Sequence, residues 1–228
     1  MTHIADLRTL IPTLQTQPPQ VIFFDAMGTL FGLKQSVGEI YAAIAKDHHV
    51  TVNPEQLNQT FYQQFKAAPP LAFGQLSAVE LAQKEFDWWQ DLARNVFKNL
   101  KVLTHFKDFK AYFHDLYDHF MTADPWLIYP DVLPLLDACQ TAQISISLIS
   151  NFDSRLLEIL DQLSLNSYFE KVFISSQCTA AKPDRQIFQQ ALDHHQISPE
   201  QAWHIGDSHR EDYLGAQAIG IQAFLIER

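Results

Sequence analysis

Short apolar runs alternate with amphipathic stretches over the carboxyl-terminal half of the chain. The apolar runs are rich in β-branched and aromatic side chains, which predicts strands at residues 144–149, 171–174, 203–205 and 222–226. Helical spacing of apolar residues follows near 131–142, 153–163, 184–195 and 209–219. An earlier apolar run at residues 21–24 predicts the first strand. This alternation predicts an α/β fold with a Rossmann-like parallel sheet and helices on both faces.

The segment that follows the first strand has a different pattern. It contains amphipathic helical stretches near residues 35–48, 54–66, 77–100 and 106–121. Ser77 and Glu80 have the spacing of a capping box at the start of the third stretch. Four such helices can bury their apolar faces against each other. We therefore expect a core formed by residues 1–31 and 128–228, a short helix within it at 4–14, and an inserted all-α helical-bundle cap at 32–127.

Charge and composition limit the classes of function. The chain has 228 residues and a formal net charge of -10, which disfavours nucleic acid and anionic membrane surfaces as partners. Charged residues interrupt the opening segment before a secretory core forms, and no 18-residue apolar stretch follows. We expect a cytoplasmic protein, and the sequence identifies no protein partner. Cys139 and Cys178 lack the spacing of a metal site or a disulfide framework, so we expect two small buried side chains.

Polar residues follow the predicted strands at the points where the strands end. Asp25 follows the first strand directly, and Ser150 with Asn151 follows the second. Lys182 comes after the third strand, and Asp207 comes after the fourth. Parallel strands bring their carboxyl ends to one edge of the sheet, where open α/β sheets bind their ligands. We therefore expect these side chains to form one site.

This ordered set resembles the motifs of the haloacid dehalogenase superfamily, in the group whose helical C1-type cap follows the first motif. The matching residues are Asp25-x-x-Gly28-Thr29-Leu30, Ser150-Asn151, Lys182-Pro183-Asp184 and Gly206-Asp207-Ser208-x-x-x-Asp212. Residues 37–41, 88–89 and 150–156 resemble, more narrowly, the subgroup that contains haloacid dehalogenase-like hydrolase domain-containing protein 3. The resemblance covers nearly the whole chain and implies a hydrolase that acts on a small phosphorylated molecule.

The resemblance also implies roles for individual residues. Asp25 would be the nucleophile and would form an aspartyl-phosphate, which divides one displacement into two steps. Lys182 would offset negative charge on Asp25 and on the phosphoryl group. Phosphate would be bound by Ser150, by the backbone N–H of Asn151, by Lys182 and by backbone groups around Gly28.

A magnesium site is part of the same resemblance. Asp25, Asp207 and Asp212 would hold Mg²⁺ together with the backbone carbonyl of Met27, because this ion prefers hard oxygen ligands. Asp207 would be a direct ligand. Asp212 would act through a water molecule or by orienting Lys182.

Met27 departs from the phosphatase pattern, in which a second Asp protonates the leaving oxygen and later activates water. A thioether cannot transfer protons, and positioned acid–base catalysis is typically worth about 10²- to 10⁴-fold in rate. Three functions stay open: a magnesium-dependent phosphatase that is slow or uses a substitute such as Asp153 or His209, a 2-haloacid dehalogenase, and a non-catalytic module that binds a phosphorylated ligand or a protein. Retention of Asp25 and of both carboxylates in the last motif favours the phosphatase.

Overall fold

Six parallel strands form the main sheet of the protein, whose computed structural model describes residues 2–228. The strands, in chain order, are β1 (His3–Ile4), β2 (Val21–Phe24), β3 (Phe31–Leu33), β4 (Trp126–Ile128), β5 (Ser145–Ser150), β6 (Lys171–Ile174), β7 (Ala202–Gly206) and β8 (Gln222–Ile226). The sheet order is β1-β8-β7-β2-β5-β6, whereas β3 and β4 form a separate two-stranded sheet. The predicted α/β class with a parallel Rossmann-like sheet is confirmed.

The register of the sheet aligns the strand ends that carry polar residues. Phe24, the last residue of β2, pairs with Leu148 of β5 and with Ile205 of β7. Asp25, Ser150 and the residues after Gly206 therefore lie at the carboxyl ends of neighbouring strands, at the same edge of the sheet. All four residues of β2 are buried, which is typical of a central parallel strand covered on both faces.

Nine α-helices and several shorter turns connect these strands in the described chain. The helices are α1 (Ile11–Thr16), α2 (Val37–Asp47), α3 (Pro54–Ala67), α4 (Ala78–Asn99), α5 (Phe109–His119), α6 (Val132–Thr141), α7 (Arg155–Gln162), α8 (Arg185–His195) and α9 (Gly215–Gln217). Short 3₁₀ segments lie at Leu7–Leu10, Leu103–His105, Asn166–Tyr168, Ser175–Gln177 and Pro199–Gln201. None of the helices within residues 2–228 combines the length and apolar character needed to cross a bilayer.

The structure differs from two of the helices predicted from the sequence. The helix expected at 4–14 is instead the edge strand β1, a 3₁₀ turn and α1, because Ile4 pairs with Ile226 of β8 and Pro12 favours a helix start. The helix expected at 209–219 is a π-helix at His209–Leu214 followed by α9. A π-helix widens the turn, and such turns are frequent at functional sites.

The chain divides into two compact units. The core unit comprises residues up to Gly32, Leu71–Leu76 and Leu127–Arg228, and the helical unit comprises Leu33–Pro70 and Ser77–Trp126. One face of the sheet in the core unit packs on α8 through residues such as Phe23, Ile187 and Phe188. The apolar interior of the helical unit is lined by α2 to α5, with Phe97 and Tyr112 fully buried.

Residues 71–76 lie within the stretch predicted as the cap but belong to the core unit. The backbone N–H of Phe73 donates to the carbonyl of Ser176 at 3.2 Å, and that of Gly74 donates to the carbonyl of Cys178 at 2.9 Å. These backbone bonds hold the segment beside the turn that follows β6. Hydrophobic periodicity could not predict this pairing, because it depends on main-chain groups.

Gly38 allows α2 and α3 to approach closely within the helical unit. A Cβ at position 38 would overlap the carbonyl oxygen of Pro54 and would lie 2.6 Å from the Cβ of Asn58. We expect Gly38→Ala to lower the free energy of unfolding by about 1–3 kcal/mol, as overpacking does. Helix propensity alone predicts the opposite sign, a gain of about 1 kcal/mol.

The matched control for this prediction is Ala43→Gly, at an exposed position of the same helix. It should cost about 1 kcal/mol through propensity alone. Urea unfolding of the three proteins measures the comparison. A Gly38→Ala protein more stable than the wild type would contradict the close approach.

Candidate active site

Asp25 lies at the carboxyl end of the central strand β2 and anchors the site. Its backbone N–H donates to the carbonyl of Ile205 at 2.9 Å, which fixes the residue between β2 and β7. The residue is only 7% exposed. The hydroxyl of Ser150, the last residue of β5, donates to Asp25 Oδ1 at 3.2 Å. Two of the residues predicted from strand ends are therefore in direct contact.

Lys182 reaches this carboxylate from the loop between β6 and α8. Its Nζ donates to Asp25 Oδ1 at 2.6 Å and to Asp212 Oδ1 at 2.5 Å. The lysine side chain is 1% exposed. One buried ammonium group thus bridges two buried carboxylates, which compensates charges that would be costly to bury alone.

Two further donors besides Lys182 hold the Asp212 carboxylate. Its Oδ1 also accepts a hydrogen bond from Nε2 of His204 at 2.9 Å, and its Oδ2 accepts one from the backbone N–H of Ser208 at 2.9 Å. Gly206 makes room for this arrangement, because a Cβ there would overlap the Asp212 carboxylate. With both oxygens already engaged, Asp212 is better placed to orient Lys182 than to coordinate an ion directly.

The pKa shifts follow from burial and from these ion pairs. Burial raises the pKa of Asp25, and the charge of Lys182 opposes that shift. Burial also acts to raise the pKa of Asp212, but Lys182 and His204 outweigh it and lower that pKa. Burial acts to lower the pKa of Lys182, but the two aspartates outweigh it and raise that pKa. Burial lowers the pKa of His204, which favours a neutral imidazole that donates through Nε2.

Asp207 completes a group of three carboxylates beside the Gly28 turn. Partial loss of surrounding water, together with the charges of Asp25 and Asp212, raises the pKa of Asp207 to about 7. Thr29 Oγ1 donates to Asp207 Oδ1 at 3.4 Å. Gly28 has a φ of +88°, and a Cβ at this position would overlap the Asp207 carboxylate. The glycine therefore provides both the turn and the space for Asp207.

The carboxylates have the donor set that a divalent cation requires. One ligand atom from each of Asp25, Asp207 and Asp212 lies within 4.8 Å of the others. The ammonium group of Lys182 bonds to Asp25 and Asp212, so two of the three carboxylates share one positive charge, which leaves an excess of negative charge. Hard oxygen ligands with excess negative charge suit Mg²⁺. Met27 lies half-buried in the same turn and forms an isolated bridge with Phe31.

Asn151 and Glu211 flank the lysine loop. The side-chain oxygen of Asn151 accepts from the backbone N–H of Lys182 at 2.8 Å, and Nδ2 of Asn151 donates to the carbonyl of Lys182 at 2.9 Å. The same Nδ2 donates to Glu211 Oε2 at 3.1 Å. Burial raises the pKa of Glu211, and Lys182 opposes that shift.

Sequence reasoning missed two residues of this neighbourhood, His204 and Glu211. A signal existed for His204, because it is a polar residue within the otherwise apolar strand β7. Glu211 lies in the last motif at a variable position, and its contact with Asn151 depends on the path of the π-helix. No spacing rule indicates that contact.

The two suggested substitutes for a missing acid differ in their surroundings. Asp153 is fully buried, and Arg155 donates to both of its oxygens at 2.7–2.9 Å, so the carboxylate is already engaged as an acceptor. His209 is exposed, and its ring stacks on Tyr213 with a centroid distance of 6.0 Å.

Comparison with known proteins places this arrangement in a family. The family model described as a haloacid dehalogenase-like hydrolase matches residues 19–220. The chain belongs to the haloacid dehalogenase-like hydrolases. Haloacid dehalogenase-like hydrolase domain-containing protein 3 from Xenopus laevis is 31% identical over 207 residues, covering 91% of this chain and 84% of that protein. The resemblance seen in the sequence motifs, to the superfamily and to this subgroup, is confirmed.

Solved structures of haloacid dehalogenase-like proteins share the fold. A HAD phosphatase from Thermococcus onnurineus has a TM-score of 0.61 and 19% identity, covering 92% of this chain and 86% of that chain. A dehalogenase has a TM-score of 0.66 and 20% identity, covering 93% and 87%. At these identities the likeness shows the fold alone, and both kinds of hydrolase occur among its members.

Removal of the Lys182 ammonium group should destabilise the protein. Lys182→Met leaves the buried carboxylates of Asp25 and Asp212 without compensation, and we expect a loss of about 3–5 kcal/mol in the free energy of unfolding at pH 7.

In the wild type, the lowered pKa of Asp212 adds stability above its unfolded value of about pH 4, and this contribution is lost as the pH falls below it. Denaturant titrations without Mg²⁺ measure both effects.

The control for this prediction is Lys182→Met combined with Asp25→Asn, which removes one of the two uncompensated charges. The double variant should recover part of the lost stability, because contacting sites are not additive. Equal stability of Lys182→Met and the wild type would show that the buried ion cluster does not form.

Substitution of Gly28 should weaken cation binding through Asp207. We expect Gly28→Ala to displace the Asp207 carboxylate and to weaken Mg²⁺ binding by about tenfold or more, as changes beside metal ligands do. Gly220→Ala is the matched control, since Gly220 has a φ of +91° but only Pro199 near its Cβ position, at 3.4 Å. Calorimetric titration with Mg²⁺ measures binding, and equal weakening in both variants would contradict a specific role for Gly28.

Proposed function

We propose that the protein is a magnesium-dependent phosphatase that hydrolyses a small phosphate monoester through an aspartyl-phosphate on Asp25. The observation that carries this proposal is the contact of Asp25 with both Ser150 and Lys182, at 3.2 and 2.6 Å, beside the carboxylate of Asp207. A nucleophilic carboxylate, donors for phosphoryl oxygens and hard ligands for a cation lie at one sheet edge. The known ligand position of open α/β sheets is the same edge.

The chemistry assigned to these residues has two steps. In the first, an oxygen of Asp25 forms a bond to phosphorus while the ester P–O bond breaks, and the departing oxygen takes a proton from solvent. In the second, water attacks phosphorus, releases inorganic phosphate and restores the Asp25 carboxylate. Ser150 and the backbone N–H of Asn151 would donate to phosphoryl oxygens, as would backbone groups around Gly28, and Lys182 would offset the charge that builds up on them.

The metal would be held mainly by Asp25 and Asp207, with the carbonyl of Met27 as a further oxygen ligand. Bound Mg²⁺ would supply positive charge against the transferring phosphoryl group. Asp212 would contribute by fixing Lys182, since both of its oxygens accept hydrogen bonds from protein donors. The helical unit would serve as the cap that excludes water from the reaction, a role typical of lids over such sites.

Met27 restricts the substrates that this site can process at a useful rate. A leaving group that needs no proton avoids the loss of acid catalysis, which is typically worth about 10²- to 10⁴-fold. Aryl phosphates have such leaving groups, and alkyl phosphates do not. The proposal therefore assigns higher turnover to aryl than to alkyl monoesters.

The test is an assay of phosphate and halide release with and without Mg²⁺, using an aryl phosphate, an alkyl phosphate and a 2-haloacid. We expect Mg²⁺-dependent phosphate release that is faster for the aryl ester by at least about tenfold, and its loss in Asp25→Asn. Asp153→Asn is the comparison variant, because it removes the charge of a different buried carboxylate, one that is paired with Arg155. Equal kcat/KM values on both esters, which report the step in which the ester oxygen departs, or activity that persists in Asp25→Asn, would contradict the mechanism.

Two other functions correspond to distinct results of the same assay. Met27 itself favours the 2-haloacid dehalogenase, because halide departs without an acid; metal-independent halide release abolished in Asp25→Asn would establish it. A non-catalytic module would release neither product and would still bind a phosphorylated ligand. The carboxylates of Asp207 and Asp212 favour the metal-dependent phosphatase over both.

A further inference from the structure

We propose that Asn151 and Glu211 are positioning residues that hold the backbone of Lys182, so that its ammonium group stays on Asp25. This inference rests on the proposed function for its catalytic consequence, but its structural part stands on contacts alone. It assigns to the Asn151 side chain a different task from phosphate binding, which falls to the Asn151 backbone N–H.

The side-chain amide of Asn151 matches the peptide groups of Lys182 at both ends. It accepts from the Lys182 N–H at 2.8 Å and donates to the Lys182 carbonyl at 2.9 Å. These two bonds resemble the paired hydrogen bonds between the backbones of neighbouring β-strands. They fix residue 182 relative to the end of β5. An amide that is engaged in this way has little freedom to turn toward a substrate.

Glu211 fixes the orientation of that amide. Its Oε2 accepts from Asn151 Nδ2 at 3.1 Å, so the nitrogen side of the amide must face Glu211 and the oxygen side must face the Lys182 N–H. The backbone N–H of Glu211 donates to Ser208 Oγ at 3.2 Å, which fixes the Glu211 backbone to the residue that precedes the π-helix.

These contacts close a ring around Lys182. Glu211 precedes Asp212 in the chain, and Asp212 Oδ1 accepts from Lys182 Nζ at 2.5 Å. The ring therefore runs from the Lys182 backbone through Asn151 and Glu211 to Asp212 and back to Nζ. The backbone end of the lysine is joined to Glu211 only through Asn151, whereas the ammonium end is bonded directly to Asp212. Loss of the Asn151 amide should therefore free the backbone end and let the ammonium group leave Asp25.

The variants follow from this geometry. Asn151→Asp keeps an acceptor for the Lys182 N–H but loses the donor and places a second carboxylate opposite Glu211. Adding Glu211→Gln restores a donor–acceptor pair between positions 151 and 211 with the direction reversed, but it leaves the Lys182 carbonyl without its donor, so we expect partial recovery. Glu211→Gln alone completes the double-mutant cycle. Asn166→Asp adds the same charge at an exposed position of the core unit and is the control.

The primary measurement is the reactivity of Lys182 toward an amine-acetylating reagent, read residue by residue by mass spectrometry, and it needs no enzymatic activity. Lys182 should be protected in the wild type, since its side chain is 1% exposed. Its labelling should rise by about tenfold in Asn151→Asp and return toward the wild-type rate in the double variant. Exposed Lys171 serves as the internal reference, and buried Cys139 must stay unreactive to a thiol reagent, which excludes general unfolding.

The second measurement is turnover of the aryl phosphate with Mg²⁺. We expect kcat to fall by about 10- to 100-fold in Asn151→Asp and to recover in the double variant, as for partners that orient a site residue. Protected Lys182 in Asn151→Asp, or labelling in the double variant equal to that in Asn151→Asp, would overturn the inference. A wild type without turnover would refute the proposed function, whereas the labelling result would still decide whether the ring holds Lys182.

Discussion

The site depends on one constraint: two carboxylates are buried at the edge of the sheet, and a single buried ammonium group must compensate them. Lys182 satisfies this by bridging Asp25 and Asp212 at 2.6 and 2.5 Å. Burying ions is expensive, and the pair repays that cost only with good geometry and further hydrogen bonds. Ser150 and His204 supply such bonds, and Gly206 supplies the space that the Asp212 carboxylate occupies.

The same constraint explains why a cation fits beside the cluster. Lys182 compensates only part of the negative charge, and partial loss of surrounding water, together with the charges of Asp25 and Asp212, raises the pKa of Asp207 to about 7. A divalent ion would relieve that repulsion with ligands that are already close together. Lys182 thus compensates the charges of Asp25 and Asp212. A bound cation would compensate the charge of Asp207.

Much of the fold and the principal carboxylates could be predicted from the sequence, because both follow from strand ends. Strands β2, β5, β6, β7 and β8 are short apolar runs, and parallel pairing brings Asp25, Ser150 and Asp207 to one edge. What could not be predicted depends on side-chain and main-chain contacts without periodicity. The two-residue strand β1 is too short for a pattern, and the link from Asn151 to Glu211 requires the π-helix.

Met27 has a kinetic consequence for the proposed phosphatase reaction. A site with a buried nucleophile but a thioether in the place of the acid and base lacks help for the attack of water as well as for departure of the ester oxygen. In the proposed reaction a good leaving group would make the first step faster, and hydrolysis of the aspartyl-phosphate would then be the slow step. The phosphoryl group should therefore accumulate on the protein during turnover.

Peptide mapping by mass spectrometry, after acid quenching of the protein in the presence of Mg²⁺ and an aryl phosphate, tests the central claim most directly. The proposed mechanism predicts a phosphorylated peptide whose modified residue is Asp25. Release of phosphate with no modified peptide, or with the phosphoryl group on another residue, would contradict it.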